Sequence, residues 1–81
     1  MNQEEILTQL NDIFRTVFDD KSIVAKREMT AEDVERWDSL SHVDMIVMVE
    51  EHFGIRIPSW QVANLKNVGD LVDIIIAKAN S

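Results

Sequence analysis

The chain has no cysteine, one proline, two glycines, and only 8 Lys and Arg against 15 Asp and Glu. Without cysteine there is no disulfide staple and no thiolate zinc site. A formal net charge of -7 argues against nucleic acid and against an anionic membrane surface, both of which call for a basic patch. The same charge favours partners that present Lys and Arg, and it keeps a small domain soluble. Long hydrophobic runs are missing too. The longest, Met45 to Val49 and Ile74 to Ala77, fall far short of the roughly 20 apolar residues of a membrane-spanning helix, so no membrane insertion is expected. The opening Met1-Asn2-Gln3-Glu4-Glu5 is polar and acidic, unlike a secretory signal, and the expected location is the cytoplasm.

What is present is enough for one domain spanning 1–81, expected to act as a monomer. Hydrophobic residues make up 46%, which suits a globular chain rather than a disordered one. A chain of this size buries only about 60% of the surface its unfolded form exposes, which leaves little bulk to wall off a substrate cavity.

The periodicity is helical. Asn2 can cap a first helix with Glu4 and Glu5 in its opening turn, where negative charge suits the helix dipole. Ile6, Leu7, Leu10, Ile13, Phe14, Val17 and Phe18 then form one stripe, which Asp19-Asp20 ends. From Lys21 to Trp37 the pattern weakens into a long connection, pinned to the core by Ile23, Val24, Met29 and Val34. Thr30 and Asp33 resemble a capping box, so a short helical turn is expected near Thr30 to Glu35. A second helix should start at Asp38 or Ser39 and run to about Phe53. Leu40, Val43, Ile46, Val47 and Phe53 fit one face, while Asp44, Glu50 and Glu51 fall largely on the other. Gly54 is placed for a left-handed cap, and Pro58 keeps Ile55-Arg56-Ile57 out of helix. Ser59 can cap a short turn to about Leu65. Asn67 can cap a last helix with the stripe Val68, Leu71, Val72, Ile75 and Ala79. The fold class is all-α: a small four-helix bundle of three main helices and a short third one, with a long loop between the first and second helices and no convincing strand.

Four features invite a chemical reading. Ser39 has His42 one helical turn on and Asp38 beside it, but an adjacent Asp points elsewhere and no Gly-x-Ser-x-Gly elbow is present, so a self-contained hydrolase with catalytic residues of its own is not expected. His42, Asp44, Glu50, Glu51 and His52 cluster in sequence, yet on a helix the two histidines share no compact site, and no metal is expected. Trp37 reads as a plug that packs the long loop onto the bundle. Trp60, just after Pro58, can meet a partner, since aromatics are enriched at interface hot spots. Asp38, Asp44, Glu50 and Glu51 are either a solvated face or a docking stripe for basic surfaces.

The run Trp37-Asp38-Ser39-Leu40-Ser41-His42-Val43-Asp44 and its continuation through Glu50-Glu51, Phe53-Gly54-Ile55 and Ile57-Pro58 resembles the central region of acyl carrier proteins. Val68-Gly69-Asp70-Leu71-Val72-Asp73 resembles the start of that family's last helix, and the likeness covers essentially the whole chain. It implies that Ser39, flanked by Asp38 and Leu40, accepts 4'-phosphopantetheine from coenzyme A through a separate phosphopantetheinyl transferase. Ser39 would become a phosphodiester, and the arm's thiol would hold an acyl group as a thioester for fatty-acid, lipid or specialised-metabolite synthesis. It further implies that Asp44, Glu50, Glu51 and Trp60 dock acyl-loading and acyl-transferring enzymes with basic patches, and that Val43, Ile46, Val47, Leu65, Leu71 and Ile75 line the space for an acyl chain. Arg36-Trp37, Ser41-His42 and Ser59-Trp60-Gln61 depart from the housekeeping pattern and look more like free-standing carriers of specialised pathways. An aminoacyl or D-alanyl cargo, or an interaction module that kept the fold and lost the cargo, remain the alternative readings.

Overall fold

The computed structural model describes residues 2–79. Among them are four α-helices, α1 (Gln3–Val17), α2 (Ser39–Phe53), α3 (Ser59–Ala63) and α4 (Val68–Ala79), a 3₁₀ turn at Ala31–Asp33 and no strand. The Asn2 side chain accepts the Glu5 N–H at 2.9 Å and starts α1. Asp19, at φ 50, turns the chain out of that helix in the left-handed region. Gly54, at φ 65, does the same for α2, where its N–H and that of Ile55 both return to the Glu50 carbonyl. Asn67 accepts the Asp70 N–H at 2.8 Å and opens α4.

The three long helices close on one core. Ile6, Leu10, Phe14 and Phe18 from the α1 side meet Met45 and Val49 of α2 and Val68, Leu71, Val72 and Ile75 of α4, all essentially without solvent contact. The stripes expected on α1 and α4 are the buried faces. On α2 the buried residues are Met45, Ile46 and Val49, whereas Leu40 is 79% exposed and Val43 and Val47 are about half exposed. That corrects the expected face. Apolar residues stand nearly all round the middle of α2, so its own pattern does not fix which side turns inward, and packing against α1 and α4 decides.

The long loop is tied down largely through its backbone. The Ala25 N–H donates to Asn11 Oδ1 at 2.6 Å, and the Ile23 carbonyl accepts from Arg15 Nε at 2.7 Å, both across to α1. The carbonyls of Met29 and Arg27 accept the Val68 and Gly69 N–H groups at 2.9 Å each. The loop thereby satisfies the free amides at the start of α4. Arg27 adds a two-pronged pair with Asp73 at 3.0 Å, which raises the Arg27 pKa and lowers that of Asp73. Ile23 and Val34 are buried as expected and Met29 is partly so, but Val24 is 51% exposed and Ala25 takes its place. In the expected box the Asp33 carboxylate accepts from the Thr30 N–H at 2.9 Å, and only Ala31–Asp33 is helical. The short helix is capped by Pro58 without a side-chain bond, so Ser59 is its first residue rather than its cap, and it ends at Ala63.

Candidate functional site

The first turn of α2 is built by Asp38 and Ser41. Asp38 Oδ1 accepts the Leu40 N–H at 3.0 Å and the Ser41 N–H at 2.9 Å. Ser41 Oγ accepts the Asp38 N–H at 2.8 Å and donates to the Arg36 carbonyl at 2.7 Å. The box is reciprocal, and it holds the Asp38 carboxyl below its usual range, chiefly through the Ser41 N–H bond. Ser39 takes no part in it. Its side chain is exposed at the first helical position, with Leu40 beside it also exposed. The amides of Leu40 and Ser41 are thus engaged by Asp38 rather than free to meet an anion. What a phosphate on Ser39 would meet is the positive end of the α2 dipole and open solvent.

One turn further on, His42 is held from two sides. The Trp37 indole N–H donates to His42 Nδ1 at 3.0 Å. An indole N–H only donates, so Nδ1 is the acceptor, and the ring proton of neutral His42 lies on Nε2, 3.3 Å from the Val62 carbonyl oxygen. Trp37 stacks on Phe18 with centroids 5.1 Å apart and tilts against Phe14 at 5.8 Å. Trp37 is therefore the plug its position suggested. His42 has a structural role that its place in the sequence cluster did not show: it joins the loop to α2 and α2 to α3.

Between α2 and α3 runs a groove of ≈ 490 Å³ whose apolar walls include Val43, Ile46, Val47, Ile57, Val62 and Leu65. It contains four of the six residues expected to line an acyl site. The other two lie elsewhere: Ile75 is sealed in the core and Leu71 faces a separate small void, because the inner face of α4 is used to close against the other long helices. Among the residues expected to dock partners, Asp44 and Glu51 are exposed on α2. Trp60 is 66% exposed on α3, where it borders a second groove of ≈ 480 Å³ with Leu65, Asp70, Asp73 and Ile74. Glu50 differs. It is half-buried, lines the α2–α3 groove, and accepts the Ile57 N–H at 2.8 Å through Oε2, so its carboxylate fastens the exit from α2 rather than facing outward with Asp44 and Glu51. No group of three His, Cys, Asp or Glu able to hold a metal exists among the described residues, and no helix there is long and apolar enough to cross a membrane.

Fold and site together describe a small helical bundle with an exposed serine, Ser39, left out of the cap at the start of α2, and an apolar groove between α2 and α3. The phosphopantetheine attachment site family matches residues 36–75, which contain Ser39, the groove-lining part of α2 and all of α3. An acyl carrier protein of Acidothermus cellulolyticus is 44% identical over 75 residues, covering 93% of this chain and 89% of the relative. The solution NMR structure of holo acyl carrier protein from Geobacter metallireducens superimposes with a TM-score of 0.85 at 49% identity, covering 91% of this chain and 85% of that one. The crystal structure of an acyl carrier protein from Thermotoga maritima shares the fold, with a TM-score of 0.86 at 22% identity over 99% of this chain and 93% of that one. The chain belongs to the acyl carrier protein family. It carries acyl thioesters on a covalently attached 4'-phosphopantetheine, whose thiol is supplied by the arm to a chain that encodes no cysteine.

Proposed function

We propose that Ser39 is the residue to which the arm is joined. The observation that carries this reading is the division of labour at the start of α2: Asp38 and Ser41 make the cap, and the exposed Ser39 hydroxyl is left for other work within the matched segment. In the transfer, Ser39 Oγ forms a new P–O bond to the arm's phosphate, the pyrophosphate bond of coenzyme A breaks, and adenosine 3',5'-bisphosphate leaves. The metal and base belong to the transferase, since no side chain here is placed to deprotonate Ser39: His42 is engaged by Trp37 and Val62, and Asp38 by the cap. The chain is thus a carrier without catalysis of its own. The α2–α3 groove, with Val43, Ile46, Val47 and Leu65 in its walls, shelters the acyl chain from water. Asp44 and Glu51 meet basic patches on the transferase and on acyl-handling enzymes, and the exposed ring of Trp60 adds an apolar anchor to that docking.

The experiment is incubation with coenzyme A and a promiscuous phosphopantetheinyl transferase, read by intact-protein mass spectrometry. One added arm is expected on the native chain and none on Ser39→Ala. An unmodified native chain, or an arm that persists in Ser39→Ala, overturns the assignment.

A further inference from the structure

Next to the α2–α3 groove lies a small, partly open void of ≈ 70 Å³ bordered by Ala31, Trp37, Met45, Lys66, Asn67 and Leu71, with Ala31 and Lys66 at its exposed rim. His42 and Leu65 line both the groove and the void. A side chain that borders two cavities is the partition between them. His42 is suited to that place because its ring is fixed: Trp37 holds Nδ1, the Val62 carbonyl holds Nε2, and the ring lies within 20° of parallel to the indole. A partition held by hydrogen bonds on both ring nitrogens cannot swing aside without breaking them.

We propose that His42, with Leu65, sets how far an acyl chain penetrates the bundle, and so acts as a specificity-determining residue for cargo length. The proposal rests on the groove being the acyl shelter. A straight, saturated chain follows the groove past Val43 and Val47 and stops at the imidazole, short of the void. Opening the partition adds the void to the path. Its volume holds a few water-sized groups, so the sheltered length should grow by about two carbons.

The test is made on the holo protein loaded with straight-chain saturated acyl groups lengthened two carbons at a time. NMR shifts are followed at Val43, Val47 and Val62 for the groove and at Ala31, Met45 and Leu71 for the void. In the native chain the groove signals should move with length and then saturate while the void signals stay still. In His42→Ala the void signals should respond about two carbons beyond that limit. His42→Leu keeps bulk at the partition but frees it to swing, so its limit should fall between those of the native chain and His42→Ala. Leu65→Ala opens the same partition from the other side and serves where His42→Ala does not fold. Void signals that respond in the native chain, or a limit equal in native, His42→Ala and Leu65→Ala, overturn the proposal. If the arm does not attach to Ser39, the attachment reading fails by itself. The partition is then read on Ser39→Cys, a unique thiol in a chain without cysteine, alkylated with the same series of chains.

Discussion

The indole N–H of Trp37 donates to Nδ1 of His42 across 3.0 Å, and the two rings, joined edge to edge and 20° from parallel, close the loop onto the start of α2. Through Phe14 and Phe18 on one side and the Val62 carbonyl on the other, this pair links α1, the loop, α2 and α3 in one chain of contacts. The pair flanks Ser39 in sequence, so the serine proposed to hold the arm is supported by packing rather than by the bare end of a helix.

Trp37→Phe retains a ring against Phe14 and Phe18 and removes the donor to His42. Leaving the half-buried Nδ1 without its partner should lower the unfolding free energy by about 1–2 kcal/mol. Trp37→Ala also removes the plug and should cost roughly 3–5 kcal/mol. Urea unfolding followed by circular dichroism measures both. A Trp37→Phe variant as stable as the native chain would show that the hydrogen bond contributes nothing.

Asp38 makes the bundle acid-sensitive at the functional helix. The cap holds its carboxyl below the ordinary aspartate value, so the stabilisation is present above about pH 3.9. It is lost as pH falls through the lower folded value, when the protonated carboxyl ceases to be a charged acceptor. Asp73, lowered by Arg27, and Asp20, lowered by its bonds from Ser22, act in the same direction. Asn can still cap but does not titrate. The expected result is that Asp38→Asn loses less melting temperature than the native chain on acidification from neutral pH. Parallel curves for the two proteins would contradict the assignment.

Asn11 is a point at which the long loop can be released. Its Oδ1 accepts the Ala25 N–H at 2.6 Å, and Ala25 is only 6% exposed. Asn11→Ala strands that amide away from water, at about 1–3 kcal/mol. Hydrogen exchange should accelerate at Ala25 and its neighbours in the loop more than in the core of α1. Uniform acceleration throughout the chain would mean that the loop does not open as a local unit.

These relationships were unequally legible in the amino-acid sequence. Asn2, Asn67 and Gly54 announce helix ends because caps act within three or four residues of the chain, and the structure places them there. The four-helix order follows from the same local signals. The buried side of α2 does not, since Leu40, Val43, Met45, Ile46, Val47 and Val49 are all apolar and only the packing of α1 and α4 selects among them. Ser39 stands out by its neighbours, and its exposure follows from its place in the first turn. His42 was hidden because one of its partners, Val62, lies 20 residues away. Glu50 was hidden because it looks like one half of an acidic pair until Ile57 folds back onto it. Leu71 and Ile75 share an apolar stripe with no mark of which residue faces a cavity and which faces the core.

That difference within the acidic pair sets the docking role proposed for Glu51 apart from the structural role of Glu50. Asp44 and Glu51 stand exposed on α2, so Asp44→Lys and Glu51→Lys should slow association with the phosphopantetheinyl transferase roughly threefold to tenfold at low salt. The effect should shrink as added salt shortens the reach of surface charge to about 10 Å or less. Glu50→Gln removes one charge but keeps an oxygen able to accept the Ile57 N–H, and it should change the association rate least of the three. Glu50→Ala removes the acceptor itself. Its mark should be lower stability, by about 1–3 kcal/mol, and altered shifts at Ile57 and along the groove, rather than slower docking. Stopped-flow association across a salt series, run beside thermal unfolding of the same variants, separates the two roles. If Glu50→Gln slows association as much as Asp44→Lys, then Glu50 is a docking residue after all, and its bond to Ile57 gives way in the complex.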